Sequence, residues 1–266
     1  MANYPTLTHY SLIASLGLFT TALLLGAIDL YGLLASLTFL GLAHQLSRQS
    51  HGNNPLFVWS MLLISAALML HLLPGFYNQP IWQQRLISSG AVPHSLTFNY
   101  DKLLIAIVLL PLLLTRDRQQ TRSANSSKLG WQPIALITLS TVLVTASAGY
   151  LMGVLGWDLK LPVQWYWFVL INIGITVTAE EVMFRGLLQH YLSKQLGRFG
   201  LVLAVLTFAI AHIAGGWQWV ILAGIAGLGY ALAYHYYRNL VAPMFVHATV
   251  NLIHFFCLAY PMKISQ

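Results

Sequence analysis

Long apolar runs separated by short polar breaks dominate this chain. Nine runs are legible, at 10–28, 30–46, 56–74, 102–115, 133–155, 163–192, 201–213, 219–237 and 241–260. A helix needs about 20 mostly apolar residues to cross a hydrocarbon core about 30 Å thick. The pattern predicts an all-α fold, a polytopic membrane helical bundle with about eight or nine transmembrane helices.

The breaks give the organisation. Asp29 reads as a hairpin turn between the first two runs, because one continuous helix would be too long. Arg48 and the residues that follow it to Pro55 form a polar loop. Asn53-Asn54-Pro55 and Pro74-Gly75 are loop punctuation around the third run. The mixed stretch 76–100, with Trp82 and Arg85, reads as an interfacial helix of the kind that lies among headgroups. The most hydrophilic stretch, R-D-R-Q-Q-T-R-S-A-N-S-S-K at 116–128, reads as a flexible loop. It divides the chain into N-terminal transmembrane helices with a cytoplasmic loop at 1–128 and a second half at 129–266. No internal repeat is evident. Ala223, Gly227 and Ala231, four apart, are a packing stripe for close helix approach.

Composition agrees with this. Only 7% of the 266 residues are charged and 58% are hydrophobic, against about 25% charged in a soluble domain. The net charge of +7 does not point to nucleic acid, because the basic residues never interleave with aromatics on one face. Basic residues in short loops instead set membrane orientation. The 116–128 loop carries four of them, so it is expected in the cytoplasm with the Arg48 loop, Lys194, Arg198 and Arg238. The Gly215-Gly216 break is then outside, the N-terminus inside and the C-terminus outside. The single cysteine, Cys257, reads as a small buried residue. With no Lys or Arg before it, the first run is expected to be a retained helix rather than a cleaved signal. Trp131, Trp165, Trp217, Trp219, Tyr236 and Tyr237 near run ends read as interfacial anchors.

Three costly polar elements remain in the second half. Glu180 and Glu181, the only two glutamates, sit side by side with Arg185 in an apolar run. Ionisable groups at that depth cost roughly 2.5–3.5 kcal/mol each on insertion scales and are functional candidates by default. On a helix, Glu181 and Arg185 are i and i+4 and can pair. Glu180 points about 100° away and needs a proton, a metal or a histidine. Phe208 and His212 share one face of the seventh run. His247, Asn251 and His254 share one face of the ninth. A buried carboxylate beside a like charge suits general acid–base work. Two histidines and a carboxylate (His212, His247 and Glu180) can also hold zinc with a position open for water, and the same groups could activate water without metal. Phe184 and Phe208 each share a face with a candidate residue. His9, His44, His51, His71, His94, His190 and His235 read as residues whose polar tips reach the interface.

These elements carry a family resemblance. E-E-V-M-F-R resembles the E-E-x-x-x-R motif of the CAAX-protease and bacteriocin-processing (CPBP, or Abi) family of intramembrane proteases. F-A-I-A-H and H-A-T-V-N resemble its F-x-x-x-H and H-x-x-x-N motifs, in the same order, over roughly 130–260. F-N-Y-D-K at 98–102 is similar to a segment often seen upstream in bacterial members. The resemblance implies a catalytic transmembrane core at 129–266 in a multi-pass protein of the bacterial inner membrane. It implies that Glu180 activates the attacking water with help from His212. His247 and Asn251 would stabilise the oxyanion, and Glu181 and Arg185 would support them. The family is usually described as metalloproteases, though a metal-free glutamate mechanism has also been argued. The expected substrate is a membrane-associated peptide or protein segment. Two other classes compete on the same residues: a proton- or ion-coupled transporter, which also buries Glu, Arg and His, and a non-catalytic immunity or scaffold protein that keeps the motifs for packing.

Overall fold

The computed structural model describes residues 5–48, 54–123 and 130–264. Among these, nine helices form a bundle, accompanied by one two-stranded hairpin. They are α1 (Pro5–Leu24), α2 (Leu30–Arg48), α3 (Pro55–Met69), β1 (Gln79–Arg85), β2 (His94–Phe98), α4 (Tyr100–Ser123) and α5 (Trp131–Leu151). Then come α6 (Trp165–Leu196), α7 (Arg198–Ile210), α8 (Trp217–Tyr237) and α9 (Val241–Cys257). Four of them, α2, α5, α6 and α8, are long and apolar enough to cross a membrane, and α1, α3, α7 and α9 contribute shorter apolar stretches. The protein is an integral membrane helical bundle. One buried apolar cluster runs from Phe19 in α1 to Val246 in α9.

The Asp29 turn forms as the sequence suggests. Its carboxylate accepts from the Tyr31 and Gly32 N–H groups at 2.8 and 3.1 Å and from the Tyr77 hydroxyl at 3.0 Å. The Gly32 N–H, helped by Tyr77 and Tyr31, holds this carboxyl below the usual range. Asp29 thus caps α2, whose first N–H groups lack partners within the helix.

The stretch 76–100 is not a helix. It is the antiparallel hairpin of β1 and β2, pairing Gln79 with Phe98 and Arg85 with His94. Its physical reason is which side chains are buried: Trp82 and Leu96, paired across the strands, pack with Phe168 and Phe255, whose rings stack at 3.8 Å. The exposed backbone at the tip is satisfied by the C-terminal tail, with Val92 N–H on the Met262 carbonyl and Ile264 N–H on Gly90, both at 2.9 Å. The hairpin therefore caps one end of the bundle. The turns before α2 and α6 and the chain after α9 meet at that end through the Ile28–Phe76, Ala91–Lys263 and Trp157–Leu258 bridges.

The loop expected at 116–128 is helical through Ser123 as the end of α4, and 124–129 lies outside the described residues. The helix persists because Arg116 finds partners in the bundle: its Nη1 donates to the Gly186 carbonyl at 2.8 Å and its Nη2 to the Tyr234 hydroxyl at 3.0 Å. Of the expected anchors, Trp131 is 74% exposed and fits that role. Tyr237 does not: its hydroxyl donates to the Gly130 carbonyl at 2.8 Å and accepts from Ile134 N–H, tying the start of α5 to the end of α8. Trp219 is also drawn inward, its indole N–H lying 3.3 Å from Met262 sulfur.

Candidate active site

α6 carries the acid pair and is not a uniform α-helix. Two stretches, Asn172–Val177 and Val182–Gln189, are π-helical and flank the single α-turn Thr178–Glu181. The widened turns match their bonding. Thr178 Oγ1 donates to the Ile173 carbonyl at 2.8 Å, five residues back, and His190 N–H reaches the Arg185 carbonyl, also five back. Such π-turns recur at functional sites because the extra residue rotates the flanking faces.

Glu181 and Arg185 pair as their spacing predicts, with Nε to Oε2 at 3.2 Å and both side chains fully buried. The Arg185 guanidinium then packs over aromatic faces, 4.9 Å from the Phe208 ring centroid and 5.8 Å from that of Tyr230. Its two Nη atoms have no hydrogen-bond acceptor among the described residues, so the rings supply its remaining attraction. Gly227 permits this arrangement, since a Cβ there would lie 2.8 Å from Phe208 Cδ1 and 3.5 Å from Arg185 Nη2. The small-residue stripe on α8 therefore serves the site as well as the packing.

His247 reaches the pair from α9. Its Nδ1 lies 2.8 Å from Glu181 Oε1, and its Nε2 lies 3.9 Å from Glu180 Oε2. One imidazole thus spans both carboxylates. Glu181 takes two partners, and Glu180, the most accessible of the three with its side chain 12% exposed, takes none at direct hydrogen-bond distance among the described residues. Tyr230 stacks on the His247 ring at 4.3 Å with an interplanar angle of 15°. Asn251, one turn along α9, donates its Nδ2 to Asn172 Oδ1 in α6 at 3.1 Å.

His212 is placed differently from the expectation. It sits just past the end of α7, half-buried, with Nδ1 donating to the Phe208 carbonyl of its own helix at 2.8 Å. Its ring lies 4.8 Å from that of Phe208, which is itself 6.0 Å from His247. Among the described residues no hydrogen bond or ion pair joins His212 to either glutamate. His212 follows the last turn of α7, whereas His247 is less than two turns into α9. Phe208 neighbours both imidazoles, with Phe184 edge-on to it at 5.0 Å.

His247 Nδ1 is committed to Glu181, and no group of three His, Cys, Asp or Glu side chains is gathered as a metal site among the described residues. The residues as placed do not present the three protein ligands of a catalytic zinc site, and no step below is routed through a metal.

Several other histidines have partners within the bundle. His71 Nδ1 lies 2.5 Å from Asp101, joining the turn after α3 to the start of α4. His94 is half-buried in the hairpin, where desolvation pushes its imidazole down to about 4. His190 meets the Tyr234 hydroxyl at 3.3 Å. His254 packs against Trp219 and Tyr260 at 5.6 and 4.9 Å, away from the acid pair. His235 is exposed, as expected. His51 lies outside the described residues, as does the side chain of His9.

Sequence reading missed Tyr230 and Asn172. Neither belongs to a motif, and each matters only through a partner on another helix. The presence of a lone Asn in the apolar start of the sixth run was the one available signal for Asn172.

Fold and site together define a class: an integral membrane protein with a buried acid pair, an arginine and histidines contributed by neighbouring helices. Residues 162–253 match the family described as Type II CAAX prenyl endopeptidase Rce1-like, a segment holding all three motifs. The match over this segment is consistent with a CPBP-family protease. Comparison with curated proteins and with solved structures gave no match.

Proposed function

We propose that the protein hydrolyses a peptide bond in a membrane-associated peptide or protein, using water activated by Glu180. The observation that carries this reading is the 3.9 Å gap between Glu180 Oε2 and His247 Nε2. A polar gap of that width fits a bridging water. Glu181 accepts from His247 Nδ1–H, which holds the ring with Nε2 toward Glu180; in the imidazolium form that second nitrogen also donates.

The chemistry follows from these positions. Glu180 takes a proton from the water as its oxygen attacks the scissile carbonyl carbon, and the carbonyl π pair moves to oxygen. His247 and Asn251 face that oxyanion, as fixed donors stabilise such charge. Asn251 has one N–H on Asn172 and a second to offer. When the C–N bond breaks, its electron pair goes to nitrogen, which takes the proton held by Glu180. The products are a carboxylic acid and an amine. His212, with Nδ1–H on the Phe208 carbonyl, keeps Nε2 as an acceptor that can orient substrate or water at the rim.

Zinc is a second reading of the metal question and is decided by metal analysis of the same preparation with and without chelator. The substrate proposed is a peptide, pheromone or membrane-protein segment at the bacterial inner membrane, with prenylation not required. The test is reconstitution of the purified protein with candidate membrane peptides, comparing wild type with Glu180→Ala and His212→Ala. Cleavage that survives both substitutions would overturn the mechanism, and pH-driven flux without proteolysis would favour a transporter.

A further inference from the structure

Outside the matched segment, α4 makes a contact that bears on the acid pair. Arg116 Nη1 donates to the backbone carbonyl of Gly186, the residue after Arg185, at 2.8 Å. In an α-helical register that carbonyl would receive the His190 N–H, four residues on. Here the His190 N–H goes to the Arg185 carbonyl instead. The same guanidinium reaches the Tyr234 hydroxyl of α8 at 3.0 Å, and Tyr234 meets His190 at 3.3 Å.

A second contact from α4 lies one turn earlier. A Cβ on Gly186 would fall 2.5 Å from Leu113 Cδ1. The glycine lets α4 dock on α6 at this turn, and Arg116 then takes the carbonyl that the π register leaves available. Substituting a rigid fork of donors for a helical N–H keeps the turn wide. The face that carries Arg185, and through it Glu181, is set by that turn.

We infer that Arg116 is a positioning residue of the site: it holds the π-helical turn after Arg185 and so fixes the Glu181–Arg185 pair that orients His247. The activity side of this inference rests on the protease reading above, whereas its structural side does not.

The test compares wild type, Arg116→Gln and Arg116→Lys with Arg118→Gln, an exposed arginine on the same helix, as control. Two readouts are taken on the full-length purified protein. One is kcat and KM on a cleaved peptide. The other is the ring 15N resonances of His247, assigned by their loss in His247→Gln. Arg116→Gln should lower kcat on the order of 10²-fold, the size of effect a misplacement of about 1 Å produces, with KM within about twofold. The His247 resonances should move. A lysine keeps the charge but lacks the planar fork that holds the Gly186, Tyr234 and Asp117 oxygens together, so Arg116→Lys should show a smaller loss, about tenfold, and it carries the test if the glutamine variant does not fold. Arg118→Gln should match wild type in both readouts. A wild-type kcat and unchanged His247 resonances in a folded Arg116 variant would overturn the inference, as would a lowered melting temperature with both readouts unmoved. If wild type cleaves no peptide, the protease reading fails, and the His247 spectrum alone decides the positioning role.

Discussion

His247 Nδ1 lies 2.8 Å from Glu181 Oε1 while its Nε2 looks across 3.9 Å to Glu180 Oε2. This single imidazole divides the labour of two adjacent glutamates. Glu181 is spent on Arg185 and His247, and Glu180 is left for the role proposed for it, activation of the attacking water.

The division predicts different phenotypes for two similar substitutions. Glu180→Gln should abolish general-base catalysis, a loss of about 10²–10⁴-fold, with little change in melting temperature, since Glu180 has no direct partner. Glu181→Gln should reduce both, because it leaves the buried Arg185 charge uncompensated, a defect that costs about 3–5 kcal/mol. Thermal melting in detergent alongside cleavage assays separates the two. Equal stability loss in both variants would contradict the assignment.

Arg185 offers a complementary check. Arg185→Met alone should destabilise the protein by about 3–5 kcal/mol, since it strands a buried carboxylate. Combining it with Glu181→Gln should recover much of that stability without recovering cleavage. Denaturation midpoints for the two singles and the double complete the cycle, and strictly additive losses would contradict a direct pair.

Gly227→Ala should act through Phe208. The added methyl would lie 2.8 Å from Phe208 Cδ1, and overpacking of this kind costs about 1–3 kcal/mol. Because Phe208 underlies Arg185, activity should fall beyond what the stability loss explains. Gly224→Ala, where the nearest atom would be at 3.5 Å, should be nearly neutral by the same melting and cleavage measurements.

Stability of the hairpin end should depend on pH. Burial holds the His94 imidazole at about 4, against about 6.5 in an unfolded chain. Above 6.5 both states are neutral there and the full stability is present. As pH falls from 6.5 toward 4 the unfolded state takes up the proton first, so stability is lost across that window. His94→Phe should flatten the melting temperature between pH 7 and pH 4. An unchanged slope would assign the dependence to other groups.

The helical bundle was legible because apolar run length is a direct consequence of bilayer thickness. Asp29 as a turn and the Glu181–Arg185 pair were legible because both are local in sequence. The hairpin was not: Trp82 and Leu96 are read as strand residues only once Phe168 and Phe255 cover them. The π-turns of α6 were equally hidden, since a widened register depends on Arg116, Leu113 and the other partners of its backbone. His212 was expected beside Glu180 from its motif; its Nδ1 bonds the Phe208 carbonyl, and among the described residues no hydrogen bond joins it to either glutamate. Among the described residues the ion-pair contact of Glu180 is His247 at 3.9 Å, a gap that the proposed mechanism fills with the attacking water.

That water is where the account is most directly tested. Wild type and Glu180→Gln, reconstituted with a cleavable membrane peptide in H2(18)O, can be compared by mass spectrometry of the product's new C-terminus. Wild type should place a single solvent oxygen in that carboxyl group, and Glu180→Gln should give about 10²–10⁴-fold less product. Product formed at the wild-type rate by Glu180→Gln, or a product carrying no solvent oxygen, would contradict attack by a Glu180-activated water.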